Sequence, residues 1–157
     1  MNFEVETIRT YEEFEEFNKV IYENFYNVKT KKIAVFVIYI LLVAILSLQK
    51  KYIEALVIVL IAGIIVFLIK KFVNRDIRNT YDTNKLLQNA KIVYKFSEDK
   101  VEAHSPMGIE ILEYSKMYKL IETDIYFYMM IAKNMGFIVP KEKMTNEQIE
   151  FIRAVKR

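Results

Sequence analysis

Two stretches decide how this chain folds: Ile33–Leu48, IAVFVIYILLVAILSL, and Ala55–Ile69, ALVIVLIAGIIVFLI. Neither holds a charge, and only Gln49, Lys50, Lys51, Tyr52, Ile53 and Glu54 separate them. At 1.5 Å per residue the first makes a helix of roughly 24 Å, against a hydrocarbon core of about 30 Å that asks for ~20 residues. Flanking residues make up the difference, with lysines reaching outwards from the ends. A helix of a soluble domain carries a polar stripe every 3.6 residues, and neither stretch has one. The expectation is a membrane α-helical hairpin over residues 29–71, with spans at about 31–49 and 53–70.

Orientation follows from basic residues at the span ends. Lys29, Lys31, Lys32, Lys70, Lys71, Arg75 and Arg78 lie on the outer flanks, and only Lys50 and Lys51 lie in the turn. This puts both termini in the cytoplasm and makes the chain a two-span protein of the cell membrane. Each of the flanking cations is worth about 1 kcal/mol beside an anionic leaflet, so the lipid bilayer and anionic headgroups are expected partners. Within the spans the polar groups are Tyr39 and Ser47, with Glu54 at an end beside Lys50 and Lys51. An intramembrane carboxylate marks function by default, but an interfacial ion pair accounts for Glu54. Ala62-Gly63 permits close helix packing without forming GxxxG.

The 157 residues leave room for one small water-exposed domain beside the hairpin. With no cysteine there is no disulfide framework and no thiolate chemistry. One histidine makes a zinc site a poor expectation. A net charge of +3 does not argue for nucleic acid. Neither GxxxxGK[ST] nor GxGxxG is present. No cofactor is expected and no enzyme activity; nothing in the sequence specifies an oligomeric state. The acidic N-terminus (Glu4, Glu6, Glu12, Glu13, Glu15, Glu16, Glu23) does not read as a signal peptide.

Residues 2–8, NFEVETI, alternate apolar and polar as a strand does. Thr10-x-x-Glu13 is a capping box opening a helix whose Phe14, Phe17, Ile21 and Phe25 share one face. The glutamates opposite them are expected to be solvated. After the second span a helical pattern runs on to about Gln88. From Lys91 the period changes to two. Ile92–Phe96, Val101–Ser105, Gly108–Tyr114, Met117–Glu122, Ile125–Ala132 and a segment ending at Pro140 read as strands joined by short turns, an antiparallel meander. Ile125–Ala132 is apolar on both faces and so belongs in the middle of a sheet. A last helix opens with Thr145 as N-cap and Gln148 completing a capping box, with Met144 and Ile149 as a hydrophobic staple. His104 lies on a short strand next to Ser105, and adjacent strand residues point to opposite faces, which argues against a dyad. The expected domains are 1–28, an N-terminal strand and amphipathic helix; 29–71, the hairpin; and 72–157, an α+β domain with a small antiparallel sheet closed by a C-terminal helix.

Tyr114-Ser115-Lys116-Met117-Tyr118-Lys119-Leu120-Ile121-Glu122-Thr123-Asp124, then Ile125-Tyr126-Phe127-Tyr128 and Phe137-Ile138-Val139-Pro140-Lys141, resemble the YcxB-like family of bacterial membrane proteins. The family pattern is an aromatic opening a strand, a Glu at its end, an aromatic strand and a Pro-Lys step before a helix. Here Tyr114 stands where the family usually has Trp. The motif positions carried over are Tyr114, Ile121, Glu122, Tyr126, Pro140 and Lys141. The resemblance implies a bacterial membrane location and a pleckstrin-homology-like fold for the C-terminal domain, to which residues 2–8 would add a strand across the hairpin. It brings no catalytic residues. The expected function is a membrane-anchored cytoplasmic interaction module that binds a protein or peptide, with strand addition as one mode; the alternative is a small immunity or resistance protein acting against a membrane-active toxin.

Overall fold

The computed structural model describes residues 1–26, 28–86 and 88–155; the side chains at 28, 29 and 31, including those of Lys29 and Lys31, lie outside the described residues. The chain divides into two compact units. One joins Met1–Ile21 to Tyr81–Arg157, and the other is Tyr22–Thr80. The first unit is thus made from both ends of the sequence. Its boundary falls at Tyr81, so residues 72–80 belong with the helical unit and not with the expected 72–157 domain.

In the helical unit, α2 (Val28–Leu48) and α3 (Tyr52–Thr83) follow one another with two residues of turn and Lys51 between them. The turn is a Schellman motif. Lys50 takes the left-handed conformation (φ 59°), its N–H donates to Ser47 O at 3.0 Å, and Lys51 N–H donates to Leu46 O at 2.9 Å. Lys51 O then accepts from Ala55 N–H, which opens α3 at once. Apolar side chains along both helices are exposed, among them Ile33, Phe36, Leu41, Leu56, Leu60 and Phe67. α3 is long and apolar enough to cross a membrane, with only 6% of its most apolar window buried. In α2 the apolar run is Lys32–Leu48, which is shorter. α3 stops at Thr83 rather than near Gln88. The Gln88 side chain donates back to Tyr81 O and Asp82 O, and Asn89 adopts a positive φ of 50°.

The β unit opens with β1 (Phe3–Arg9) and α1 (Tyr11–Phe25). Thr10 Oγ1 accepts from Glu13 N–H at 3.3 Å, as an N-cap does. After the helical unit come β2 (Ala90–Phe96), β3 (Lys100–Ser105) and β4 (Gly108–Glu113). They form a four-stranded antiparallel sheet in the order β1-β2-β3-β4, with Phe3 opposite Phe96 and Arg9 opposite Ala90. Then follow β5 (Lys119–Glu122), β6 (Tyr126–Ala132) and β7 (Met135–Pro140), a second antiparallel sheet with β6 central, and α4 (Asn146–Ala154). The expected single meander is therefore two sheets. The break has a local cause: Tyr114–Lys116 turn as a 3₁₀ segment, and Tyr114 N–H returns to Asp99 O before β5 begins. β5 pairs with β6 alone.

Alternation sorts the strands. Val5, Ile92, Tyr94, Phe96, Val101, Ala103 and Leu112 from the first sheet meet Phe127, Met129, Phe137 and Val139 from the second in one buried cluster, which Ile152 of α4 joins. The first sheet's other face carries ion pairs, Lys91–Glu6 at 2.8 Å and Lys95–Glu4 at 3.2 Å. α4 has its full capping box, Gln148 N–H to Thr145 Oγ1 at 3.3 Å and Thr145 N–H to Gln148 Oε1 at 2.8 Å. Met144 and Ile149 each pack against the core.

Candidate functional site

The six motif positions do not converge. β5 and β6 run antiparallel with Ile121 opposite Tyr128 and Glu122 opposite Phe127, while β6 sets Tyr126 opposite Pro140. Successive strand residues face opposite ways. Ile121, Tyr126 and Pro140 therefore share one face of the second sheet, and Glu122 lies on the other, with Phe127. Tyr114 stands apart in the 3₁₀ turn. Its hydroxyl donates to Ser97 O at 3.0 Å and its ring meets Phe151 edge-on, with centroids 6.4 Å apart. Burial pushes the Tyr114 phenol up, so it stays a neutral donor that ties the β2–β3 turn to α4.

Glu122 is the junction of the motif. Lys141 Nζ pairs with its Oε1, and Arg153 of α4 reaches it through Nη2 and also through Nε, at 3.0 and 3.1 Å from the two carboxylate oxygens. Arg153 Nη1 pairs in turn with Glu150 one helical turn earlier. The hydrogen bonds from Arg153, then those from Lys141, hold the Glu122 carboxyl down to about 2. Lys141 is placed by its own backbone, whose N–H donates to Ile125 O at 2.8 Å, and its Nζ stands 4.7 Å from the centre of the Phe127 ring, a cation–π contact. Pro140 ends β7 and sends the chain into the 3₁₀ turn Lys141–Lys143. The Glu and the Pro-Lys step thus form a clasp between the end of β5, the exit from β7 and α4. Sequence reading missed Arg153, for which the Glu150–Arg153 spacing is a local signal that does not point to Glu122.

A second polar centre was also missed. Glu13, expected among the solvated glutamates, is 7% exposed. Thr7 Oγ1 donates to its Oε1 at 3.2 Å. Burial raises the Glu13 carboxyl, against the opposing hydrogen bond from Thr7 and the charge of Arg9. The same turn of α1 lays Phe17 on Tyr128, stacked with centroids 5.8 Å apart. This is why Glu13 is enclosed: α1 covers the Tyr126–Tyr128 face of the second sheet. Nearby, Tyr94 is fully buried, and its oxygen accepts from Ile138 N–H at 3.3 Å and Arg9 Nη2 at 3.4 Å. Burial raises this phenol too.

His104 lies 3.1 Å from Glu102 Oε2 on the solvent face of the first sheet, and Ser105 Oγ is engaged in the β3–β4 turn with Gly108 O and Met107 N–H. Among the described residues no group of three His, Cys, Asp or Glu could hold a metal. Of the basic residues expected at a membrane interface, Lys32, Lys70, Lys71, Arg75 and Arg78 are exposed. Lys71, Arg75 and Arg78, spaced by four and three, share one face of α3.

Residues 96–155 match the family described as YcxB-like protein. The match begins in β2 and ends just past α4, and it contains the whole clasp and Tyr114. The family expected from residues 114–141 is the one found. No curated protein and no solved structure matches the chain.

Proposed function

We propose that this chain is a membrane-anchored interaction module whose β unit, held at the cytoplasmic surface, binds a protein or peptide. In this reading α2 and α3 both span the bilayer and leave both termini in the cytoplasm. The observation that carries it is the exposure of large apolar side chains around most of α2 and α3, which water would not tolerate over two successive helices. A bilayer satisfies those side chains, and helices are one of two backbone forms that it accepts. The shorter apolar run of α2 spans with its flanking lysines at headgroup depth. Seven basic residues on the outer flanks against two in the turn support the orientation. Four antiparallel strands, then three, then a helix support a pleckstrin-homology-like reading of the β unit, with α1, α2 and α3 inserted after its first strand.

Cross-linking of the full chain in native membranes, followed by mass-spectrometric identification of partners, tests the function. A reproducible cross-linked protein attached through the β unit is expected. Recovery of nothing above an anchor-only control rejects it. Cysteine accessibility at introduced positions tests the topology: Lys50→Cys is expected to react from outside the cell and Glu4→Cys only after permeabilisation.

A further inference from the structure

β4 is the outer strand of the first sheet, and its free edge is guarded only by the two carboxylates Glu110 and Glu113 among the described residues. The register sums to a constant, from Ser105 opposite Gly108 to Lys100 opposite Glu113, and Tyr114 N–H, two residues beyond Leu112, bonds to Asp99 O. In an antiparallel ladder the hydrogen-bonded pairs alternate. Gly108, Glu110 and Leu112 thus direct their backbone groups to β3, whereas Ile109, Ile111 and Glu113 direct theirs outwards. No described strand takes that side. The first sheet's other outer strand, β1, lies near β7, and Ile138 N–H of β7 finds the Tyr94 hydroxyl. Among the described residues no strand covers β4 in this way. Proteins blunt bare edges with Lys, Pro, bulges or short strands. Here the strand GIEILE has six residues, neither Lys nor Pro, and an unbroken register. It exposes Ile109 at 61% and Ile111 at 57% on one face.

The geometry points to β4 as a docking edge for an extended segment of a partner protein that carries apolar side chains at two alternate positions and Lys or Arg between them. The inference rests on the interaction-module reading and names its contact surface. The apolar residues would lie opposite Ile109 and Ile111, where cross-strand Cβ atoms come within about 5 Å. The basic residue between them would face Glu110, which is exposed on the other face. The same charges disfavour a second copy of this chain. Antiparallel self-pairing that sets Ile109 against Ile111 puts the two Glu110 side chains directly opposite one another, and like charges there destabilise. Setting Ile111 against Ile111 instead leaves Ile109 facing Glu113. Strand addition draws affinity from the main chain and specificity from alternate side chains, so a short segment suffices.

The test uses the full chain in detergent micelles and two synthetic nine-residue peptides, identical except for a central Val-Lys-Ile or Val-Glu-Ile. Saturable binding of the Val-Lys-Ile peptide is expected, about tenfold tighter than the Val-Glu-Ile peptide. Slowed hydrogen exchange at the Ile109 and Ile111 amides should accompany it. Ile111→Lys, at an exposed position, should keep the circular dichroism of the wild type and lose the preference and the protection. Equal binding of the two peptides, or binding without protection at Ile109 and Ile111, overturns the inference. So does a wild-type dimer in sedimentation that Ile111→Lys dissolves. In native membranes, partner cross-links that survive Ile111→Lys overturn the edge and leave the module reading intact. If the wild type yields no cross-linked partner, the module reading falls, and the peptide comparison alone decides the edge.

Discussion

Glu13 and Glu122 each tie a helix to a strand of the β unit, α1 to β1 and α4 to β5, by opposite physics. Glu13 is enclosed, bonded to a neutral hydroxyl, and its carboxyl is raised because burial penalises the charge. Glu122 lies at the rim between a lysine and an arginine, and its carboxyl is lowered because charged donors favour the anion. Around Glu13 the adhesive is apolar, Phe17 on Tyr128, and the polar contact is fitted into it. Around Glu122 the polar contact is the adhesive. The lesson is that a carboxylate's place in the sequence does not tell which of the two it is; its neighbours in space do.

Four measurements test the contrast. The largest effect is expected from Tyr128→Ala, which removes the fully buried ring under Phe17. Loss of a large aromatic from a core costs about 3–5 kcal/mol, read as a fall in the unfolding midpoint of the β unit by near-ultraviolet circular dichroism. A cost like that of a surface residue would mean that α1 is not held through this ring. Next comes Glu122→Ala, at about 1 kcal/mol, because the pairs it breaks are partly solvated. The loss should shrink in 1 M salt, and Glu122→Ala with Arg153→Ala should cost less than the sum of the two.

The pH dependence should separate the two carboxylates by sign. Glu122 has a lowered folded value, so its contribution is present above the ordinary carboxyl range and is lost as pH falls through that range towards about 2. Glu13 has a raised folded value. Its burial carries no charge penalty while it is protonated, and stability is lost as pH rises from the ordinary range through the raised one. Unfolding profiles of Glu122→Gln and Glu13→Gln should each remove one of these slopes. If both variants flatten the profile in the same direction, the contrast fails. The smallest effect is expected at Glu6→Ala, whose partner Lys91 is on the solvent face: a change within about 0.5 kcal/mol.

Much of this architecture was legible in the sequence where one signal dominated. Thr145 and Gln148 announced α4 with its cap, because a capping box is a local bond pattern. Ile125–Ala132, apolar on both faces, became the central strand β6. The uncharged runs at 33–48 and 55–69 became helices. What escaped depended on contacts between segments far apart. Glu13 follows the polar period of α1 but is enclosed because α1 lies on β6, a fact written in neither segment alone. Arg153 looks like any surface arginine until β5 delivers Glu122 beside it. The split into two sheets turns on the 3₁₀ turn at Tyr114, whose backbone bond to Asp99 lies fifteen residues back. The open edge of β4 was invisible because alternation reveals faces, not neighbours.

The pairing of β1 with β2 has a consequence in time. Phe3 meets Phe96, so the first strand to leave the ribosome must wait until the partner strand follows. At about 5–20 residues per second that is roughly five to twenty seconds, during which all of α2 and α3 is made. Val5 and its apolar neighbours stay uncovered for that interval. Once β2 arrives, closing a loop of this length costs little more than closing one half as long, since the entropy grows only with the logarithm. The β unit is therefore slow to begin folding, and its maturation is timed by the helices built into its middle.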